Sequence, residues 1–142
     1  MVFPDPTVEA FVESIPNPRR GQEAKILIVV FERATGESAR LSGSAIVFGQ
    51  YDYRYSSGRE GTAPAAGFAP AKTATTIYLL DGVGAHKRAL ARLGPHKAKI
   101  GSITIKNLAS IDLFVLEQIV TRSFATLTAG TYELRAREGR ET

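Results

Sequence analysis

The chain of 142 residues has the length of a single domain, and its 44% hydrophobic and 23% charged residues are typical of a globular protein. It contains no cysteine, which excludes disulfides, thiolate metal sites and cysteine nucleophiles. The formal net charge is +4, and residues 82–111 contain six lysines and arginines, two histidines and no acid. This basic segment is either a solvated surface or a region that favours an anionic partner.

The first residues lack the basic region and long apolar run of a signal peptide. The longest apolar run, 26–31, has six residues, whereas a membrane-spanning helix needs about 20. We therefore expect a cytoplasmic protein without a membrane partner.

Two helices are predicted on the N-terminal side. Thr7 is a suitable N-cap residue, and Pro16-Asn17-Pro18 ends the first helix because proline lacks an N–H donor. Its apolar residues fall at helical spacing, at Val8, Phe11, Val12 and Ile15. Segment 19–33 is ambiguous, because its β-branched residues suit a buried strand while its length and a C-cap glycine at Gly36 favour a helix. We predict a helix there.

The stretch 43–55 predicts two strands joined by a tight turn. Gly49-Gln50 suits a type II′ turn, in which the first central residue needs a positive φ. Tyr51, Tyr53 and Tyr55 alternate with polar residues, so they share one face of the second strand. That face is either a set of stacking surfaces for a ligand or a half-buried side of the sheet.

More strands and two helices follow. Residues 67–70 predict a strand that ends at a sheet edge or a turn, because Pro70 does not suit a central strand. Strands are also predicted at 75–80 and 100–106, and a short helix at 85–93 stops at Gly94-Pro95. Ser110 is the expected N-cap of the last helix. The apolar stripe of this last helix contains Leu113, Leu116, Val120, Phe124 and Leu127.

Several short motifs occur in an order that resembles the YdhG-like domain, a bacterial family of unknown function. The resemblance covers about residues 6–125. The motifs are Ser44-Ala45-Ile46-Val47-Phe48-Gly49, Tyr51, Tyr53, Gly58, Gly67-Phe68-Ala69-Pro70-Ala71-Lys72, Tyr78-Leu79, Leu93-Gly94-Pro95-His96-Lys97, Ile105-Lys106-Asn107-Leu108 and Asp112-Leu113. This chain departs from the family at three places. It has Leu41 where the family often has a tryptophan, and Pro95 where the family often has a lysine. Its 69–72 motif also contains one basic residue fewer.

The resemblance implies an α+β fold, with an antiparallel sheet of about five strands packed by N-terminal and C-terminal helices. We expect one domain over residues 1–128 and a charged C-terminal tail over 129–142, either an exposed helix or a frayed end. One branch of the family is described as frataxin-like iron chaperones, so the resemblance also implies iron as a partner. Glu9 and Glu13 lie four residues apart on one helix face and are the candidate metal ligands, and the alternative explanation for them is a solvated helix surface.

No H-E-x-x-H, G-x-S-x-G or P-loop pattern occurs, so we predict a non-catalytic binding module without a cofactor. The alternative to iron is a phosphate-bearing or nucleic-acid ligand bound through the basic segment 87–106. The candidate ligand-binding residues are Tyr53, Tyr55, Lys72, His96 and Lys97, on the expectation that the tyrosine face meets the other three. An exposed sheet edge and an amphipathic last helix also make a homodimer one expected assembly.

Overall fold

The computed structural model describes residues 6–134, and the part of the predicted tail from residue 135 onward lies outside them. Over these residues the fold is α+β, as predicted, with a six-stranded antiparallel sheet, a two-stranded sheet and four helices. The helices are α1 (Pro6–Glu13), α2 (Pro18–Thr35), α3 (Lys87–Leu90) and α4 (Leu113–Thr128). The strands are β1 (Arg40–Ser42), β2 (Ala45–Phe48), β3 (Tyr51–Arg54), β4 (Glu60–Ala63), β5 (Ala66–Pro70), β6 (Thr75–Tyr78), β7 (Lys97–Ala98) and β8 (Ser102–Ile105). Two 3-10 turns lie at Val83–His86 and Leu108–Ser110.

The large sheet has the strand order β1-β2-β5-β6-β8-β7, so it has six strands where about five were expected. Helices α2 and α4 pack together and against one face of this sheet. The core between the two layers includes a cluster of Phe31, Phe48 and Phe68, whose ring centroids lie 5.2 to 6.5 Å apart. We call the opposite face of this sheet the outer face.

Helix α2 confirms the helical prediction for segment 19–33, and the strand alternative is wrong. The Asn17 side chain accepts a hydrogen bond from Arg19 N at 2.9 Å, and Pro18 starts the helix. Gly36 ends it at φ 73°, with its N–H donating to Glu32 O. The β-branched run is accommodated because tertiary packing buries one face of the helix, which overrides its weak helix propensity.

The predicted hairpin over 43–55 is wrong, because β2 and β3 belong to different sheets. Gly49 does have the expected positive φ, 64°. However, β2 pairs with β1 and β5, while β3 pairs with β4. Strand β2 is an interior strand with a neighbour on each side, and its second neighbour follows only after the β3–β4 hairpin.

Several element boundaries also differ from the prediction. The cap of α4 is Asp112 rather than Ser110, since Asp112 Oδ1 accepts from Phe114 N and Val115 N at 3.0 and 3.1 Å. Strand β5 is interior in the sheet and ends at a turn after Pro70, which confirms the turn alternative of the prediction; Pro70 is tolerated as the last residue because only β6 pairs with it there. Helix α1 begins at Pro6, so Thr7 lies inside its first turn.

The register gives the large sheet two distinct ends. At the turn end, Pro70 pairs with Thr75, which pairs with Ile105. At the hairpin end, Phe48 pairs with Ala66, and the β3–β4 hairpin leaves the sheet between them. These two ends determine which predicted site residues can meet.

The first part of the predicted tail packs on the domain. Tyr132 is buried, its N–H donates to Asp52 O at 2.8 Å, and its carbonyl accepts from Arg54 N at 2.9 Å. The chain after α4 therefore extends the small sheet along β3. Among the helices within residues 6–134, none is both long and apolar enough to cross a bilayer.

Candidate functional site

A pocket with basic walls lies at the turn end of the large sheet, with a cavity volume of about 260 Å³. We call it the basic pocket. It is smaller than most sites for drug-sized ligands, which measure about 300–1,000 Å³, so its size suits a single charged group with a small attachment. Its lining residues are Ala74, Pro95, His96, Lys97, Thr104, Lys106, Asn107 and Ser110.

The sheet register brings the two lysines of the pocket together. Lys97 on β7 is the direct partner of Thr104 on β8. Thr104 and Lys106 are two residues apart, so their side chains leave the chain on the same side. Directly paired and i, i+2 positions are neighbours on one face of a sheet, so Lys97 and Lys106 both neighbour Thr104 in the lining of the pocket.

The loop from Gly94 to His96 forms the second wall. Gly94 has φ 116°, and a Cβ at this position would lie 2.5 Å from Ser110 O. The residue is glycine because both the backbone conformation and the close approach to the 108–110 turn exclude a side chain. His96 Nδ1 donates to Gly94 O at 2.8 Å, which leaves Nε2 as the ring nitrogen that can contact a ligand.

A buried ion pair on α2 supports the other wall. Arg20 and Glu23 form this pair, and both side chains are more than nine-tenths buried. Arg20 also donates to Thr73 O at 3.1 Å and to Lys106 O, while Glu23 accepts from Leu108 N at 2.9 Å. The pair therefore ties the 71–74 turn and the 106–108 segment to one helix.

The electrostatics of the pocket favour an anion. None of its lining residues is acidic, while two are lysines and one is a histidine. Asp112 lies two residues after the lining residue Ser110, and its carboxylate caps α4. Ammonium groups beside a hydroxyl and an imidazole can donate several hydrogen bonds to phosphate or carboxylate oxygens.

Only part of the predicted ligand site comes together. His96 and Lys97 line the basic pocket, and Lys72 lies in the neighbouring turn, where its carbonyl accepts from Asn17 Nδ2 at 3.5 Å. Tyr53 and Tyr55 lie on β3, beyond the hairpin end of the sheet. The expected meeting of the tyrosine face with Lys72, His96 and Lys97 is therefore not observed.

The tyrosines instead pack against one another. The rings of Tyr53 and Tyr55 are stacked at 4.9 Å, and Tyr51 contacts Tyr53 and Tyr132, each at 6.1 Å. Burial raises the pKa of Tyr51 well above its usual value, and the nearby Tyr55 phenol raises it further. Tyr53 and Tyr55 are half-buried and pack as part of the small sheet, as the second of the two alternatives for this face predicts.

The two candidate metal ligands, Glu9 and Glu13, are both exposed on α1. Within residues 6–134, no three histidine, aspartate or glutamate side chains are grouped in a way that could hold a metal ion. Two carboxylates on a surface helix are fewer than the ligands that a hard cation usually collects from a protein. Iron binding stays a prediction.

A second polar cluster, buried near the hairpin end, escaped the sequence analysis. Asp81 Oδ1 accepts from Ser123 Oγ at 2.6 Å, and His86 Nε2 contacts Asp81 Oδ2 at 2.8 Å. His86 and Asp81 are each 1% exposed. In a hydrolase triad the histidine contacts the serine and the serine faces a cleft, whereas here the aspartate holds both partners inside the core. The cluster links the segment after β6 to α4.

Replacing Ser123 with alanine is expected to lower the free energy of unfolding by roughly 2 kcal/mol, the size of one hydrogen bond to a buried carboxylate. Urea denaturation measures this change. Thr126→Ala is the matched control, because Thr126 is exposed on the same helix and its loss is expected to stay within about 0.5 kcal/mol. Equal effects of the two substitutions would contradict a stabilising role of the cluster.

Comparison with known proteins adds no relative: no protein-family model matches the chain, and neither the curated proteins nor the solved structures searched gave a match.

Proposed function

We propose that this domain is a non-catalytic binding module of the YdhG-like type, and that it binds a phosphate-bearing ligand in the basic pocket. One observation carries the proposal: Lys97, Lys106 and His96 converge on one small pocket whose lining contains no acid. The motif order that resembles the YdhG-like family supports the family assignment, as does the α+β architecture with an antiparallel sheet.

Phosphate suits this pocket better than a single carboxylate does. A phosphate group has up to three terminal oxygens, and the pocket offers two ammonium groups, an imidazole and the hydroxyls of Thr104 and Ser110 as donors. Charge-assisted hydrogen bonds are roughly twice as strong as neutral ones. Arg20 and Glu23 hold the backbone of the wall that carries Lys106, so this segment needs little ordering when the ligand binds.

The iron hypothesis has the resemblance as its support, while the exposure of Glu9 and Glu13 adds nothing to it. A homodimer through the two-residue edge strand β7 stays a prediction as well. A lysine on an edge strand also prevents pairing between sheets, which gives Lys97 a role that needs no ligand.

The proposal is tested by NMR titration of the backbone amides with inorganic pyrophosphate. We expect saturable shifts concentrated at residues 94–97 and 104–110. Changing Lys97 and Lys106 together to glutamine is expected to weaken binding at least tenfold, because each charge-assisted hydrogen bond contributes about 1.5–3 kcal/mol.

Lys87→Gln is the matched control, because Lys87 belongs to the same basic segment but lies on α3, outside the pocket lining. Its substitution is expected to leave the affinity unchanged. If the double variant binds pyrophosphate as the unmodified chain does, or if the shifts spread evenly over surface lysines, the pocket is not the binding site.

A further inference from the structure

The outer face of the large sheet is continuous with the basic pocket. Side chains alternate along each strand, and Ile77 faces the core, so its neighbours Thr76 and Tyr78 lie on the outer face. The pairing register extends this assignment across the sheet. One row contains Arg40, Val47, Gly67, Tyr78 and Ser102, and the next contains Ala69, Thr76, Thr104 and Lys97.

Charge on this sheet has a single sign. None of its six strands contains an aspartate or a glutamate. Arg40 on β1 and Lys97 on β7 lie on the two edge strands, and three more lysines lie just beyond strand ends, at Lys72, Lys99 and Lys106. Between residues 61 and 111 the one acid is Asp81, whose two carboxylate oxygens are taken by His86 and Ser123. Within the described residues, strands β5 to β8 therefore present no carboxylate to an anion on the outer face.

The shape of the face suits a flexible strand rather than a rigid duplex. Its central side chains are short, because Gly67, Ala69, Thr76 and Thr104 occupy neighbouring positions on three strands. Val47 on β2 is buried, so the accessible part of the face extends from β5 to β7. Four strands at about 4.8 Å spacing span roughly 14 Å, which is too broad to enter the ~12 Å major groove of a duplex. Of the outer-face residues in the two rows, Tyr78 carries the one aromatic ring, and it is 36% exposed.

We infer that the outer face binds single-stranded nucleic acid, with one backbone phosphate in the basic pocket and an unpaired base stacked on Tyr78. This inference rests on the proposed function, because the pocket supplies the phosphate contact. The threonine and serine hydroxyls of the face donate to further phosphate oxygens, and the lysines at its border track the backbone. A base in a duplex is already stacked between its neighbours, so Tyr78 discriminates in favour of the single strand.

The test is fluorescence anisotropy with a labelled oligodeoxythymidine of about twelve nucleotides, a length within the usual site size of such domains. We expect binding that weakens between about 50 mM and 200 mM salt, and a complementary duplex that binds at least tenfold more weakly. Tyr78→Ala is expected to weaken binding roughly tenfold, while Tyr78→Phe retains the stack and the affinity. Thr76→Glu places a negative charge in the middle of the face and is expected to weaken binding as much.

Phe114→Ala is the matched aromatic control, because Phe114 is 70% exposed on α4, in the helical layer. Thermal unfolding of each variant shows whether it remains folded. If pyrophosphate binds in the pocket but the oligonucleotide does not, or if Tyr78→Ala and Phe114→Ala behave alike, the inference is overturned and the proposed function stands. If neither ligand binds, both are overturned. Equal affinity for the duplex also overturns the single-strand inference.

Discussion

Replacing Glu23 with alanine is expected to lower the free energy of unfolding by roughly 3–5 kcal/mol, the usual effect of removing one partner of a buried ion pair. Arg20 would remain buried without its carboxylate, and Leu108 N would lose its acceptor. Urea or thermal denaturation measures the loss. The pyrophosphate affinity is expected to fall as well, because the 71–74 turn and Lys106 lose their common anchor.

Two further variants separate the ion pair from simple loss of volume. Glu32→Ala removes a half-exposed glutamate from the same helix and is expected to change stability by less than about 0.5 kcal/mol. Changing Arg20 to methionine and Glu23 to leucine together removes both charges and is expected to restore most of the stability. An unchanged stability of Glu23→Ala would show that the pair does not hold the two loops.

Replacing Gly94 with alanine is expected to cost about 3 kcal/mol of stability. A side chain at φ 116° is strained by roughly 1–2 kcal/mol, and the Cβ only 2.5 Å from Ser110 O adds the cost of overpacking against backbone. Denaturation gives the stability. NMR of the remaining folded protein is expected to show displaced amides for His96 and Lys97, since the loop must move away from the 108–110 turn.

Gly43→Ala serves as the comparison for Gly94→Ala. Gly43 also has a positive φ, 60°, but nothing lies within 4 Å of the added Cβ. Its cost is therefore limited to the backbone strain of about 1–2 kcal/mol. If both glycines tolerate alanine equally well, close packing between the 94–96 loop and the 108–110 turn does not shape the pocket.

Helix α2 follows closely from local patterns in the sequence, whereas the helix predicted over 85–93 is only the short α3 after a 3-10 turn. Asn17, Pro18 and Gly36 give the start and stop of α2, and these signals act within a few residues of the chain. Strand pairing did not follow in the same way. Gly49 correctly indicated a positive φ, but no local pattern shows that β2 will pair with a strand beginning at Ala66. Which strands pair over such a separation in sequence depends on the packing of the whole sheet.

The buried polar groups were missed for a different reason. Arg20 and Glu23 lie on the same face of α2 as Leu27 and Phe31, so the helical period does place them inward. Apolar periodicity alone leaves both residues out, since charged side chains are rarely buried without a partner. Periodicity applied to every residue would have flagged the pair, although its partners on other segments would have stayed hidden.

The candidate site was predicted in part. His96 and Lys97 are adjacent in sequence, so their shared location needs no tertiary information. Lys106 joins them through the β7–β8 register, which the single predicted strand over 100–106 did not contain. No pattern in the sequence supported the prediction that Tyr53 and Tyr55 meet these residues. The tyrosines follow the hairpin end of the sheet, while the pocket lies at the turn end.

The β3–β4 hairpin has a consequence for how the chain folds. It connects Phe48 to Ala66, and these two residues are direct partners in the large sheet. Closing an unstructured loop of about seventeen residues would cost roughly 2.5 kcal/mol of chain entropy. The hairpin is local, with Arg54 paired to Glu60 and Thr62 bonded to Asp52, so it can form first. Once formed, the hairpin brings β2 and β5 side by side and so lowers the entropy cost of pairing them. The hairpin thereby helps to set the register of these central strands.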